Sequence, residues 1–244
     1  MKLTDKFYER LVLIVCISIS IVAAYYSYTN NIMVAYNDAA AHLNTARRIV
    51  DNLTPGLVQI GSVWLPLLHL AELPFVANTF LWRTGLAGAI VSGISFVTAG
   101  FFLYKLVVYI TGKKLAAVAS LLVFVTNLNL LYLQTTAMFE PMLMATAFGA
   151  TYFLARWLRE RKINFIVLAA FFIMLSTLTR YDGWALFASS IAVVFIGSFV
   201  NGKKKEREGV LVLFLFLAGF GIFLWLLYNQ LIFGDPLYFA RSEF

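Results

Sequence analysis

Charge is what this sequence has least of. Asp, Glu, Lys and Arg make up 13% of its 244 residues, and only 12 residues are acidic. A soluble domain carries about 25% charged residues, so this chain cannot cover itself with an ordinary water-facing surface. Cysteine is nearly absent as well. Cys16 alone leaves no internal disulfide framework and no cysteine zinc site. Neither an internal repeat nor a low-complexity tract is present. What abounds is apolar: hydrophobic residues reach 61% and mean hydropathy is +0.84, the balance of a polytopic membrane protein. The net charge of +7 would suit nucleic acid, but the basic residues sit in short clusters between apolar runs. Cytoplasmic loops of membrane proteins look like that, so no nucleic-acid partner is expected.

About 20 apolar residues are needed to cross the hydrocarbon layer. Seven stretches qualify as expected spans: 11–28, 84–111, 115–134, 141–157, 163–179, 183–200 and 210–233. The first follows Lys2, Lys6 and Arg10 and ends in Tyr25-Tyr26-Ser27-Tyr28. No small-residue cleavage site follows it, so it reads as a retained span and not as a signal peptide. The second is overlong and must tilt; its Gly85, Ala89 and Gly93 recur every four residues, the pattern that lets a neighbouring helix approach.

Orientation follows from the cations. With the N-terminus inside, the inner segments hold Lys2, Lys6 and Arg10, then Lys113 and Lys114, then Arg156, Arg159, Arg161 and Lys162, then Lys203, Lys204, Lys205 and Arg207. Outside fall Arg47, Arg48, Arg83, Arg180 and Arg241, while Lys105 can snorkel inward. The positive-inside rule then places the N-terminus in the cytoplasm and the C-terminus outside, in a cell (inner) membrane or an ER-type membrane.

The inner loops are short; the first outer loop, 29–83, is long. Within it the stretch from Tyr36 to Asn52 is a polar island, with Leu43, Ala46, Val50 and Leu53 at helical spacing. A helix there would lie along the membrane surface. After Pro55-Gly56 comes VWLPLLHLAELPF, too broken by Pro66 and Pro74 to be a plain span, and expected to be a second interfacial segment. The fold expected is therefore an all-α polytopic membrane protein of seven transmembrane helices, with two interfacial helices in the first external loop.

The outer acids are Asp38, Asp51, Glu72, Glu140, Asp182, Asp235 and Glu243. Three stand beside span boundaries among other polar groups, and ionisable groups retained at such depths are candidates for function. Asp38 shares a helix face with His42 at i+4, although it or Asn37 could simply cap a helix. Glu140 precedes Pro141, where a helix dipole favours a carboxylate in any case. Arg180-Tyr181-Asp182-Gly183 makes a tight link in which Arg180 could clamp a lipid phosphate or merely pair with Asp182. Arg48 on the surface helix can bind substrate or touch headgroups of membrane lipids. His69 in its apolar segment reads more readily as a buried core histidine.

Taken in order, YNDAAAH after the first span, GSVWLPLLHL in the outer loop, TAMFEP, LTRYDGW and LIFGDPLYF give the chain a resemblance to a known superfamily. It resembles the GT-C membrane glycosyltransferases, in particular the protein O-mannosyltransferase and aminoarabinose-transferase branch, over essentially its whole length. Such enzymes continue into further spans, so the likeness implies the N-terminal seven-span module of a longer enzyme. It also implies a transferase that uses a polyprenyl-phosphate-linked sugar as donor, with Asp38 and Glu140 as catalytic acids. Arg180, Asp182, His42, Arg48 and His69 would then be donor-binding residues. A divalent metal (Mg, Mn or Zn) on Asp38, Glu140 and His42 fits the same likeness. Two other classes stay open on the residues alone: a lipid-linked-sugar flippase or small transporter, and an inert scaffold subunit. Spans that are apolar through their centres, with polar groups gathered at the outer rim, favour surface chemistry over transport.

Overall fold

The computed structural model of the chain describes residues 3–201 and 204–241; Lys2, Lys203 and Glu243, named above, lie outside them. Every regular element among the described residues is helical: α1 (Leu3–Thr29), α2 (Asn37–Val50), a 3-10 turn (Leu57–Ile60), α3 (Leu67–Val76), α4 (Thr79–Thr84), α5 (Leu86–Thr111), α6 (Lys114–Val125), α7 (Leu128–Leu133), α8 (Phe139–Glu160), α9 (Ile163–Thr177), α10 (Asp182–Asn201), α11 (Lys204–Phe233) and α12 (Tyr238–Arg241). Among the described residues four stretches are long and apolar enough to cross a membrane: Asp5–Thr29, Leu86–Thr111, Asp182–Phe199 and Arg207–Phe233. Backbone polar groups have no water to bond in hydrocarbon, so helices that satisfy them internally are what such a composition must build.

The expected span 115–134 is not one helix. α6 ends at Val125, and a 12-residue helix rises only about 18 Å, against roughly 30 Å of hydrocarbon. The break has a local cause. Asn127 turns its side-chain oxygen onto the amides of Asn129 (3.0 Å) and Leu130 (3.2 Å), starting α7 afresh. Asparagine prefers such capping bonds to a place inside a helix.

The chain divides into two compact units, one taking the residues up to Gly61 with Pro66–Ala145, the other Ser62–Leu65 with the residues from Thr146 on. In the first, α1 packs along α5. The close approach includes Gly85 and Gly93 of the expected series and extends beyond it. Gly85 takes φ +83° and links α4 to α5, a conformation other residues resist. The tight contacts lie at Gly88, where a Cβ would stand 2.5 Å from that of Ala137, and at Gly100, where it would stand 2.8 Å from Cys16 Sγ. At Gly93 it would meet Ser20 Oγ at 2.9 Å. Here the helix centres are not wholly apolar. Ser20 Oγ donates to Gln134 Oε1 (2.7 Å), and Thr135 Oγ1 donates to Ser27 Oγ (2.8 Å), all four residues being buried. Polar side chains that satisfy one another in this way tie membrane helices together.

In the second unit Ile166, Ala169, Ala170 and Ile173 of α9 pack with Val194 of α10 and with Phe214 and Ala218 of α11. Arg161 sits over Trp157 and donates from Nη1 to the Gly197 carbonyl (2.7 Å). At the other end Trp184 Nε1 donates to the Thr177 carbonyl (3.0 Å), which closes the turn from α9 to α10.

Because Gly88 faces backbone atoms of Ala137, Gly88→Ala should lower thermal stability by about 1–3 kcal/mol, the range for overpacking. Gly209→Ala, with open space around it on α11, should be neutral or slightly stabilising. Melting of both variants in detergent checks this pair.

Candidate functional site

The 29–83 loop builds its site by laying α2 down on an apolar seat. Ala39, Leu43 and Ala46 are buried and cluster with Val76 of α3, Ala87 of α5, and Ala137 and Met138 before α8. Burying a leucine such as Leu43 is worth about 1.5–3 kcal/mol. The buried stripe differs from the expected one at its far end. α2 stops at Val50, so Val50 is 43% exposed and Leu53, beyond the helix, 99% exposed.

Arg47 locks α2 to α3. Its Nη1 donates to the carbonyls of Val76 (2.6 Å) and Ala77 (2.9 Å), which close the C-terminal end of α3. Its Nη2 meets Asp51 and reaches Thr79 Oγ1, and the guanidinium lies 5.2 Å from the centre of the Trp82 ring. Trp82 Nε1 in turn donates to Asn44 Oδ1 (3.1 Å). Arg47 is thus a clamp within the protein.

Asp38 is exposed in the first turn of α2. The N-cap is Tyr36, which makes no side-chain capping bond, so Asp38 does not cap the helix. One turn on, His42 is buried with its ring centroid 4.5 Å from that of Phe139, edge to face. Phe139 opens α8 and Glu140 follows it, half-buried. Asp38 lies one helical turn before His42, and Glu140 follows Phe139 in the chain. His69, on the buried face of α3, brings Nε2 to 3.3 Å from His42 Nδ1 and packs edge-on to Phe139 too. Arg48 is exposed, with Nη2 donating to Thr45 Oγ1 (3.1 Å). Burial, and then the charges of His42 and Arg48, press the His69 pKa down to about 3, so His69 is a neutral imidazole.

Arg180 and Asp182 belong to the second unit. Arg180 Nε donates to Asp182 Oδ2 (2.9 Å), and both side chains are substantially exposed. Exposed pairs of this kind contribute about 0–1 kcal/mol, so the guanidinium is held only loosely by its neighbour. Asp182 begins α10, where the helix dipole favours it.

The metal set drawn from the family resemblance does not fit. Among the described residues no three His, Cys, Asp or Glu side chains are grouped to hold an ion, and His42 turns Nδ1 toward His69. No chemical step below passes through a metal on Asp38, His42 and Glu140.

Glu72 was counted among the outer acids but singled out for nothing. It is fully buried on the same face of α3 as His69, and neither carboxyl oxygen has a hydrogen-bond partner. Burial pushes its pKa up to about 8, which keeps the carboxyl protonated at neutral pH. The available signal was an acid three residues after a histidine inside an otherwise apolar run. No family model, curated protein or solved structure matches the chain.

Arg47→Ala strips the last α3 carbonyls of their donor and should cost about 2–4 kcal/mol of stability. Arg47→Lys, without the planar fork, should recover less than half of that loss in the same thermal melts.

Proposed function

We propose that the chain is a glycosyltransferase module of the GT-C type, moving a sugar from a polyprenyl-phosphate donor to an acceptor at the outer membrane face with inversion. Seven crossings, the third of them broken at Asn127, an inside N-terminus, and α2 and α3 resting at the outer interface belong to the same proposal. The observation that carries it is the placement of Asp38. An exposed carboxylate stands on a helix that follows the first apolar helix, and one turn on His42 packs against Phe139, the residue before Glu140.

The chemistry follows from those groups. An acceptor hydroxyl is a weak nucleophile until a carboxylate takes its proton, and Asp38 is placed to do so. The acceptor oxygen bonds to the anomeric carbon from the face opposite the lipid. The bond from that carbon to the phosphate oxygen breaks, and its electron pair leaves on the polyprenyl phosphate. Charge on the departing phosphate is what an arginine fork stabilises. Arg48, exposed beside the imidazole pair, is the candidate in the first unit; Arg180 is a separate candidate in the second. Glu140 orients the acceptor.

The rival reading, a lipid-linked-sugar flippase or small transporter, draws on the break between α6 and α7. Broken helices carry binding groups in transporters. Here the polar side chains nearest that break close onto one another as Ser20–Gln134 and Ser27–Thr135. That favours a structural tie over a cargo site.

Asp38→Asn should reduce transfer from a polyprenyl-phosphate sugar by at least about 100-fold, the lower range for loss of a general base, with expression and melting temperature unchanged. Wild-type turnover in that variant, or lipid flipping in liposomes that persists with Asp38 neutralised, would remove the assignment.

A further inference from the structure

The connection between α2 and α3 lacks charge in a way that its exposure does not explain. From Asn52 to Ala71 the chain runs 20 residues without Asp, Glu, Lys or Arg. A water-facing segment of that length would carry about five, at the usual quarter of all residues. Of the two acids that bound it, Asp51 is paired with Arg47, and Glu72 is buried and protonated. The start of the connection also leaves aliphatic side chains in the open. Leu53 is 99% exposed, and Val50, Leu57 and Val58 are exposed with it. Apolar side chains exposed together mark an interaction surface, whereas one alone would need no explanation.

The backbone of this tip folds back on itself. Asn52 Oδ1 accepts from the Leu53 amide (2.7 Å), the Gly56 amide donates to the Ile49 carbonyl (3.0 Å), and the Gln59 amide to that of Gly56 (3.1 Å). Gln59 Nε2 donates to the Thr54 carbonyl (2.8 Å), and Pro55 has no N–H to satisfy. A segment that leaves water needs its polar backbone met locally in this way. Both ends of the 29–83 loop run toward α1 and α5, which are long and apolar enough to cross a membrane and which pack along each other. Once those helices cross a bilayer the tip is tethered beside it, whichever side the loop faces.

We propose that Val50, Leu53, Leu57 and Val58 enter the interfacial layer of the bilayer and anchor the C-terminal end of α2 to lipid. The partner is a lipid surface and not a protein. A stable protein interface engages about 20–30 residues on each side, whereas an interfacial anchor needs only apolar side chains sunk about 5–10 Å into the headgroup and acyl boundary. No charge has to be desolvated on entry, because the tip carries none. The exposed Arg48 and Asp51 stay at headgroup level in this arrangement. The anchor goes beyond the transferase reading and does not rest on it.

The test uses the full chain in phosphatidylcholine nanodiscs, with a bimane probe on single cysteines built on Cys16→Ser. Thr54→Cys puts the probe at the tip and keeps all four aliphatic side chains, and Asp38→Cys is the exposed reference. Doxyl groups high on the acyl chains, at the depth interfacial segments reach, should quench the tip probe at least about twofold more than the reference. Leu53→Asp combined with Leu57→Asp should bring quenching at the tip down to the reference level, with the melting temperature unchanged. Equal quenching at Thr54→Cys and Asp38→Cys in the otherwise unaltered chain would overturn the proposal. So would a tip probe shielded from aqueous iodide yet untouched by doxyl lipid, since a second copy or another protein would then cover the turn. Quenching that survives the two aspartates would also overturn it, because the aliphatic side chains would not be what holds the tip in lipid.

Discussion

The structure of the 29–83 loop depends on one constraint: α2 must bury Ala39, Leu43 and Ala46 against Val76, Ala87, Ala137 and Met138. A 14-residue helix is marginal on its own, so its position comes from this seat and not from helix propensity. Once the stripe faces down, the rest of the helix has no choice. His42 enters the seam beside His69 and Phe139, Arg47 reaches the end of α3, and Asp38 and Arg48 remain in contact with water. Rotating α2 by one residue would bury charge and expose leucine.

The same logic governs the polar groups below the loop. Ser20, Ser27, Gln134 and Thr135 are buried where an unmet hydrogen bond would cost several kcal/mol, and they meet one another. They hold the non-helical chain at 134–138 against α1, so α7 can end early without exposing bare backbone to lipid. Glu72 is the exception, a buried acid whose two carboxyl oxygens have no hydrogen-bond partner.

Much of this was legible in the residues. Apolar run length announced α1, α5, α10 and α11, and the helical spacing of the polar island announced α2. Helix caps were less legible: Asn127 reads as one more polar residue until its oxygen is seen on two amides, and it splits an expected span. Val50 and Leu53 extended the apolar pattern in sequence after the helix itself had stopped. The meeting of His42, His69 and Phe139 joins residues 27 and about 100 positions apart in the chain, and no local pattern encodes such contacts. Pro66 and Pro74 argued against a plain span in the second segment of the 29–83 loop, and α3 is a helix of 10 residues that runs through Pro74, because packing against α2 and α5 outweighs the lost hydrogen bond.

The central claim is that α2 is docked with Asp38 exposed and Leu43 buried against the protein, at what we propose is the outer face. Membrane-impermeant maleimide labelling of intact cells tests it directly, using single-cysteine variants built on Cys16→Ser. Asp38→Cys should label rapidly from outside, while Leu43→Cys, at a position only 2% exposed, should label only after denaturation. An Asp38→Cys chain that labels only once the membrane is permeabilised, or a Leu43→Cys chain that labels as fast, would contradict the account.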